Sequence, residues 1–299
     1  MRLPACVYVN GDLVAGGDAV VSVFDRGLLY GDGLFETVRV YGGRPFALAD
    51  HLERLRRSAA MLGFAVPRLP WQRVVRSLLD RNGLAAADAW VRVIVTRGSG
   101  WPNLRPPPRP RPTVIVVAAA IDPALRRAQR RGVRVHLLPF AREGFLSEHK
   151  LLDYVPALLG KRFAARHDAY EGLYVNAEGL VTEGTTSNVF VWERSVLVTP
   201  PVTGILPGVT RRLVTEVAAS VGVAVEERPL PARRVLRARE AFLTSSVAEI
   251  VPIVQVDAQV VGTGQPGART RQLQARYREV TREWAAAGGR RGAGRGATL

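Results

Sequence analysis

The chain is short of several things, and each shortage removes a class of protein. It has one cysteine, Cys6, among 299 residues. No disulfide can close within it, so stability must come from a packed core, and the composition fits a reducing cytoplasm. No apolar run approaches the roughly 20 residues needed to cross a bilayer as a helix. The start, Met1-Arg2-Leu3-Pro4-Ala5, is not followed by the long apolar segment of a secretory leader. Acidic residues are outnumbered, 26 against 42 basic, for a net charge of +16. Such an imbalance can mark a nucleic-acid or acidic-lipid binder. Here the arginines are scattered over the expected helical faces, with no basic stripe and no interleaved aromatics. The charge therefore reads as arginine written where lysine would serve, with neither nucleic acid nor membrane expected as a partner. Internal repeats are absent. Lysine is scarce too, and that scarcity is informative. Arginine stays protonated, whereas a desolvated lysine can lose its proton and attack a carbonyl. Lys150 therefore stands out within Glu148-His149-Lys150-Leu151-Leu152-Asp153-Tyr154.

What is present is an alternation of short strands and helices, an α/β pattern long enough for two domains. Asn10-Gly11 between apolar residues predicts a hairpin with a type I′ turn. Strands are expected at 20–24, 33–41, 90–97 and 113–118. Leu48, Leu52, Leu55, Ala59 and Leu62 recur at helical spacing, which predicts a helix from Asp50, its N-cap. A second helix is expected at 71–81, closed by Asn82-Gly83. The proline-rich stretch 102–112 reads as an extended loop. The small domain is expected at 1–121 and a charged linker at 122–132. The large domain follows at 133–287, then a disordered Gly/Arg tail at 288–299. Within the large domain the pattern gives a strand at 133–138, a helix at 151–166 and a meander at 172–199. A helix opened by Pro207, strands at 241–244 and 250–256 and a last helix at 268–287 complete it.

Several short motifs occur in order. They are Asp25-Arg26-Gly27 with Tyr30-Gly31-Asp32-Gly33-Leu34-Phe35-Glu36, then His51-Leu52-Glu53-Arg54-Leu55, Lys150 through Tyr154, Thr182-Glu183-Gly184-Thr185-Thr186-Ser187-Asn188, and Gly204-Ile205-Leu206-Pro207-Gly208-Val209-Thr210-Arg211. Together they resemble the class IV, fold-type IV, aminotransferases, which use pyridoxal 5′-phosphate. That family includes branched-chain aminotransferases, D-amino-acid aminotransferases and aminodeoxychorismate lyases. The resemblance runs over about 7–277.

The resemblance implies a small α/β domain and a larger pseudo-barrel α/β domain, with the cofactor between them. Lys150 resembles the Schiff-base lysine and Glu183 the carboxylate facing the pyridine nitrogen. Arg54 resembles the phosphate arginine, suited to bidentate contact. Backbone N–H groups at Val209 and Thr210 open a helix that could receive phosphate, and Ser245 and Ser246 could add hydroxyls. Tyr154 is implied as donor to the cofactor's ring oxygen. If the helix has begun by Lys150, the two side chains share a face. For substrate, Tyr30, Phe35, Arg39, Trp90 and Arg92 are the candidates. Phe35-Glu36-Thr37-Val38-Arg39 and Ala89-Trp90-Val91-Arg92 resemble the branched-chain enzymes. The Arg-x-His carboxylate trap of the D-specific enzymes is missing after Thr96-Arg97-Gly98. The expected reaction is transamination between an apolar L-amino acid and a 2-oxo acid such as 2-oxoglutarate. The alternative is conversion of aminodeoxychorismate to 4-aminobenzoate and pyruvate. No metal is expected, and a homodimer is implied, with the 102–112 loop reaching across.

Overall fold

The computed structural model describes residues 4–101 and 103–287. The tail expected at 288–299, and Pro102 at the head of the proline-rich loop, lie outside them. The chain divides into two compact units. The first holds residues up to Ile121 together with His149–Asp153, and the second holds Asp122–Glu148 together with the residues from Tyr154 onward.

In the first unit six antiparallel strands run in the order Asp12–Ala15, Cys6–Val9, Thr113–Ala120, Ala89–Thr96, Gly33–Tyr41, Arg44–Pro45. The hairpin turns at Asn10 (φ 51°) and Gly11 (φ 122°), both left-handed as the Asn-Gly signal requires. One sheet face is covered by helices Leu48–Met61 and Trp71–Arg81. Leu34, Val38 and Val40 pack there with Leu52, Leu55 and Ala59 of the first helix and Val75, Leu78 and Leu79 of the second. Side chains alternate along a strand, so Phe35, Thr37 and Arg39 lie on the opposite face.

Two local expectations fail here. Residues 20–24 form no strand; Val20, Val23 and Phe24 are exposed. Their apolar character alone suggested a strand, but no partner strand accepts them. The first helix starts at Leu48 after a left-handed Ala47 (φ 52°), so Asp50 sits in its first turn and does not cap it.

The second unit is a mixed, curled sheet of ten strands with five α-helices among the described residues. Val133–Leu138 at its centre pairs in parallel with Glu171–Val175 on one side and Glu249–Val256 on the other. The segment expected as a linker is a helix, Pro123–Arg131, whose N-cap Asp122 accepts a hydrogen bond from the Ala124 N–H. Aspartate before proline is a helix-start signal that outweighs the segment's charge. The meander expected at 172–199 is two separate hairpins. Leu180–Gly184 pairs with Glu171–Val175, while Asn188–Glu193 pairs with Val196–Thr199 and Ala241–Ser245. The chain changes place in the sheet at Thr185-Thr186-Ser187, and all three hydroxyls donate to buried Glu171.

Candidate active site

The chain has two lysines, Lys150 and Lys161. Lys161 pairs with Glu171 at 3.1 Å. Lys150 is placed differently. The Phe35 N–H donates to the Lys150 carbonyl and the Leu152 N–H to the Gly33 carbonyl, both at 3.0 Å, with Leu151 opposite Leu34. The lysine segment thus adds a short antiparallel rung beside the start of Gly33–Tyr41. A Cβ at Gly33 would lie 2.7 Å from Leu152 Cδ1 and 2.8 Å from the Val95 carbonyl oxygen, so only glycine lets the rung close this tightly. Because these main-chain groups are spent on the strand, the helix starts late, at Val155, with Tyr154 as its N-cap residue and Pro156 in its first turn. The shared helical face expected for Lys150 and Tyr154 does not form.

Lys150 and Phe35 are cross-strand neighbours, and Lys150 Nζ lies 4.6 Å from the centre of the Phe35 ring. The Arg92 guanidinium lies 5.0 Å from the same ring and 5.6 Å from that of Trp90. Arg92 is exposed, and its Nε donates to Thr37 Oγ1 at 3.2 Å. The register that pairs Thr37 with Arg92 and Arg39 with Trp90 puts these side chains on one face. Arg39 is buried, ion-paired with Asp88 at 3.3 Å and stacked on Tyr41 at 5.1 Å. Tyr30 ends the helix Arg26–Tyr30 and lies under the Arg26 guanidinium at 4.9 Å.

Arg54 lies on the helix-covered face. Its Nε and Nη2 reach the two Glu36 oxygens at 2.6 and 2.7 Å, and His51 Nδ1 is 2.6 Å from Glu36 Oε2. All three side chains are buried. Burial pushes the Glu36 carboxyl up, but Arg54 and His51 outweigh it and hold it at about 2. Burial pushes the His51 imidazole down; Glu36 opposes this, while Arg54 and Lys150 add to it. Sequence reasoning passed over Glu36 and His51 as partners. The signal was there: a carboxylate amid the apolar residues of a strand, and a histidine three positions before the arginine. Asp25 and Asp32 are scaffold. Asp25 accepts from Thr96, Thr113 and Gly27, and Asp32 from Arg26 and Arg97. Burial raises the Asp32 carboxyl, and those two arginines bring it below its ordinary range.

In the second unit Glu183 is buried on Leu180–Gly184. Its Oε2 accepts from the Leu206 N–H at 3.2 Å, and Arg142 Nη1 is 3.4 Å from Oε1. Asn188 Nδ2 donates to the Leu206 carbonyl at 3.0 Å. Two residues on, Gly208 is the N-cap of helix Val209–Ser220, with no side-chain cap. A Cβ on Gly208 would stand 2.0 Å from Asn188 Oδ1, so glycine is what brings the helix start against Asn188. Asn188 also pairs with Thr244 in the sheet. One asparagine thereby gathers the Glu183 loop, the buried Val209 and Thr210, and the turn at Ser245-Ser246. Thr244 Oγ1 is buried with no hydrogen-bond partner among the described residues. The first unit offers an amine and a buried arginine, and the second a buried carboxylate, hydroxyls and a helix start; each is a residue type that pyridoxal phosphate needs. No cluster of metal-ligating side chains occurs among the described residues.

The amino-transferase class IV family model matches residues 33–256, and the chain belongs to that family of pyridoxal phosphate enzymes. Over 281 residues it is 36% identical to a Methanocaldococcus jannaschii protein named "Putative branched-chain-amino-acid aminotransferase", covering 93% of this chain and 97% of the other. It is 33% identical over 278 residues to the aminodeoxychorismate lyase of Bacillus subtilis, covering 91% and 94%. Among solved structures it is similar to the branched-chain aminotransferase of the thermophilic archaeon Thermoproteus uzoniensis with norvaline, with a TM-score of 0.83, 30% identity and 92% and 94% of the two chains covered. The fold is that of this class, and the chain is an enzyme of it.

Proposed function

We propose that this enzyme carries one pyridoxal 5′-phosphate on Lys150. It would move amino groups between L-amino acids with apolar, branched-chain-like side chains and a 2-oxo acid such as 2-oxoglutarate. The observation that carries this reading is the shared platform. Lys150 Nζ and the Arg92 guanidinium both lie over the Phe35 ring, at 4.6 and 5.0 Å. An amine for a carbonyl and a cation for the second carboxylate of a dicarboxylic partner are thus fixed to one apolar surface, which is what an enzyme alternating a greasy amino acid with glutamate requires.

When bound, the cofactor supplies a sink for the electrons left at the substrate Cα. The residues of this chain do the rest. Glu183 would hold a proton on the pyridine nitrogen. Arg54, Val209, Thr210, Ser245 and Ser246 would hold the phosphate, and Tyr154 would donate to the ring oxygen. Lys150 Nζ would take the proton from the substrate Cα. Phe35, Trp90 and Tyr30 wall the side chain. Of the two candidate arginines, Arg39 is buried and Arg92 is exposed on the face that carries Phe35, so Arg92 would meet the second carboxylate of glutamate or 2-oxoglutarate.

A homodimer is part of the proposal. Phe24, Leu28, Trp101 and Leu104 are all at least half exposed. The Gly100 N–H donates to the Phe24 carbonyl and Arg26 donates to the Asn103 carbonyl, which ties the two segments into one apolar patch that a second copy would cover. The single cysteine supports a cytoplasmic setting.

A half-reaction screen tests the function. Loss of the cofactor's visible band is followed with L-leucine, L-glutamate, D-alanine and aminodeoxychorismate in turn. Bleaching by L-leucine and L-glutamate is the expected result. Pyruvate release from aminodeoxychorismate with no bleaching by L-leucine would replace this reading with the lyase.

A further inference from the structure

The second unit carries a cavity that the proposed chemistry does not use. Its volume is about 700 Å³, and its walls include Arg194, Arg233, Arg234, Arg237, Arg239 and Arg269 with Glu193 and Glu240. Six arginines against two glutamates leave a formal +4. Both carboxylates are already engaged. Glu193 accepts from Arg228 at 2.7 Å and from Arg234 at 3.0 and 3.1 Å. Glu240 accepts from the Arg269 and Thr270 N–H groups and from Thr270 Oγ1 at the start of helix Ala268–Ala286. The side chains of Arg194, Arg233, Arg237 and Arg239 have no acceptor among the described residues. Trp192, in the same wall, is buried, carries the Arg269 guanidinium 5.5 Å from its ring, and its indole N–H is without an acceptor among the described residues. Guanidinium groups crowded on one cavity repel unless an anion neutralises them, and their forked donors match phosphate oxygens bidentately. The volume suits a small molecule.

We propose that this cavity is a second, non-catalytic site, and that it binds a small molecule carrying two or more phosphate groups.

The test is calorimetric titration of the cofactor-saturated enzyme with inorganic tripolyphosphate in physiological salt, so that the catalytic phosphate site is already filled. The expected result is saturable binding at one site per chain, with the cofactor band unchanged. Arg233→Ala/Arg237→Ala removes two exposed arginines and should weaken binding about tenfold or more. Arg73→Ala/Arg76→Ala, on exposed positions of helix Trp71–Arg81, should leave it unchanged. Absence of saturable heat, or equal weakening by both pairs, overturns the proposal. So does tighter, steeply salt-dependent binding of a short single-stranded oligonucleotide, which would make the cavity part of a nucleic-acid surface.

Discussion

Arg54 presents Nε and Nη2 to both oxygens of Glu36, at 2.6 and 2.7 Å, with each side chain less than a tenth exposed. The fork comes from a helix and the carboxylate from the strand residue next to Phe35. One dipeptide thus serves both sheet faces. Phe35 carries the Lys150 amine, and Glu36 fixes the guanidinium proposed to meet phosphate. Glu36→Gln keeps the shape and loses the charge, so it should loosen Arg54 and weaken cofactor affinity about tenfold or more. Glu36→Ala leaves a buried arginine uncompensated and should cost about 3–5 kcal/mol of stability. Cofactor titration by absorbance reads the first and urea unfolding of the cofactor-free protein reads the second. Unchanged affinity in the glutamine variant would detach Glu36 from the site.

The same cluster sets an acid limit. Glu36 is held at about 2, against an ordinary 4.5, and its folded value lies below its unfolded one. The unfolded chain therefore binds the proton first. The stabilisation is complete above about pH 4.5 and is lost as pH falls toward 2, on the order of 3 kcal/mol. His51 is likewise lowered from 6.5 by burial, so its contribution is present above that value and fades as pH falls below it. Unfolding free energy measured by urea between pH 7 and pH 3 should drop steadily, and Glu36→Gln should flatten the lower part of that slope. A wild-type profile flat to pH 3 would contradict the pairing.

Much of the fold was legible because spacing encodes it. The strand at 133–138 and the helix at 71–81 match the sequence expectation residue for residue, since each has clear punctuation and one apolar face. The motif around Lys150 was singled out from the sequence for its chemistry, yet its local structure was misread. Apolar residues after a lysine look helical, and nothing in the sequence says that the Lys150 carbonyl and the Leu152 N–H are taken by residues more than a hundred positions away. The Glu183 motif hid a second carboxylate in the same manner. The hydroxyls of Thr185, Thr186 and Ser187 in that motif all donate to Glu171. Pairing between strands far apart in sequence made the difference for Lys150, and a partner 14 to 16 positions upstream on a neighbouring strand made it for the hydroxyls.

Lys150→Ala should abolish turnover and leave the unfolding transition nearly unmoved. Its main-chain bond from Phe35 persists, and loss of a positioned acid–base group costs about 10²–10⁴ in rate. Glu183→Gln should retain cofactor and slow Cα proton removal, read as a larger substrate deuterium isotope effect on bleaching. Turnover comparable to the parent enzyme in either variant would remove that residue from the mechanism.

The last prediction separates the two substrates. Arg92 is exposed on the strand face that also carries Phe35 and Trp90, and Thr37 steadies its guanidinium. That is a rim position. A rim cation can meet the second carboxylate of glutamate and still leave an apolar side chain on the aromatic rings below. A charged hydrogen bond contributes about 1.5–3 kcal/mol when desolvated, and exposure places Arg92 at the lower end. Arg92→Ala should therefore lower kcat/KM for L-glutamate by about tenfold and for L-leucine by much less. Arg92→Lys should restore part of the glutamate loss, because the charge returns without the fork. Steady-state kinetics with both donors decide it. Equal losses for glutamate and leucine would move Arg92 onto the α-carboxylate, which every substrate shares.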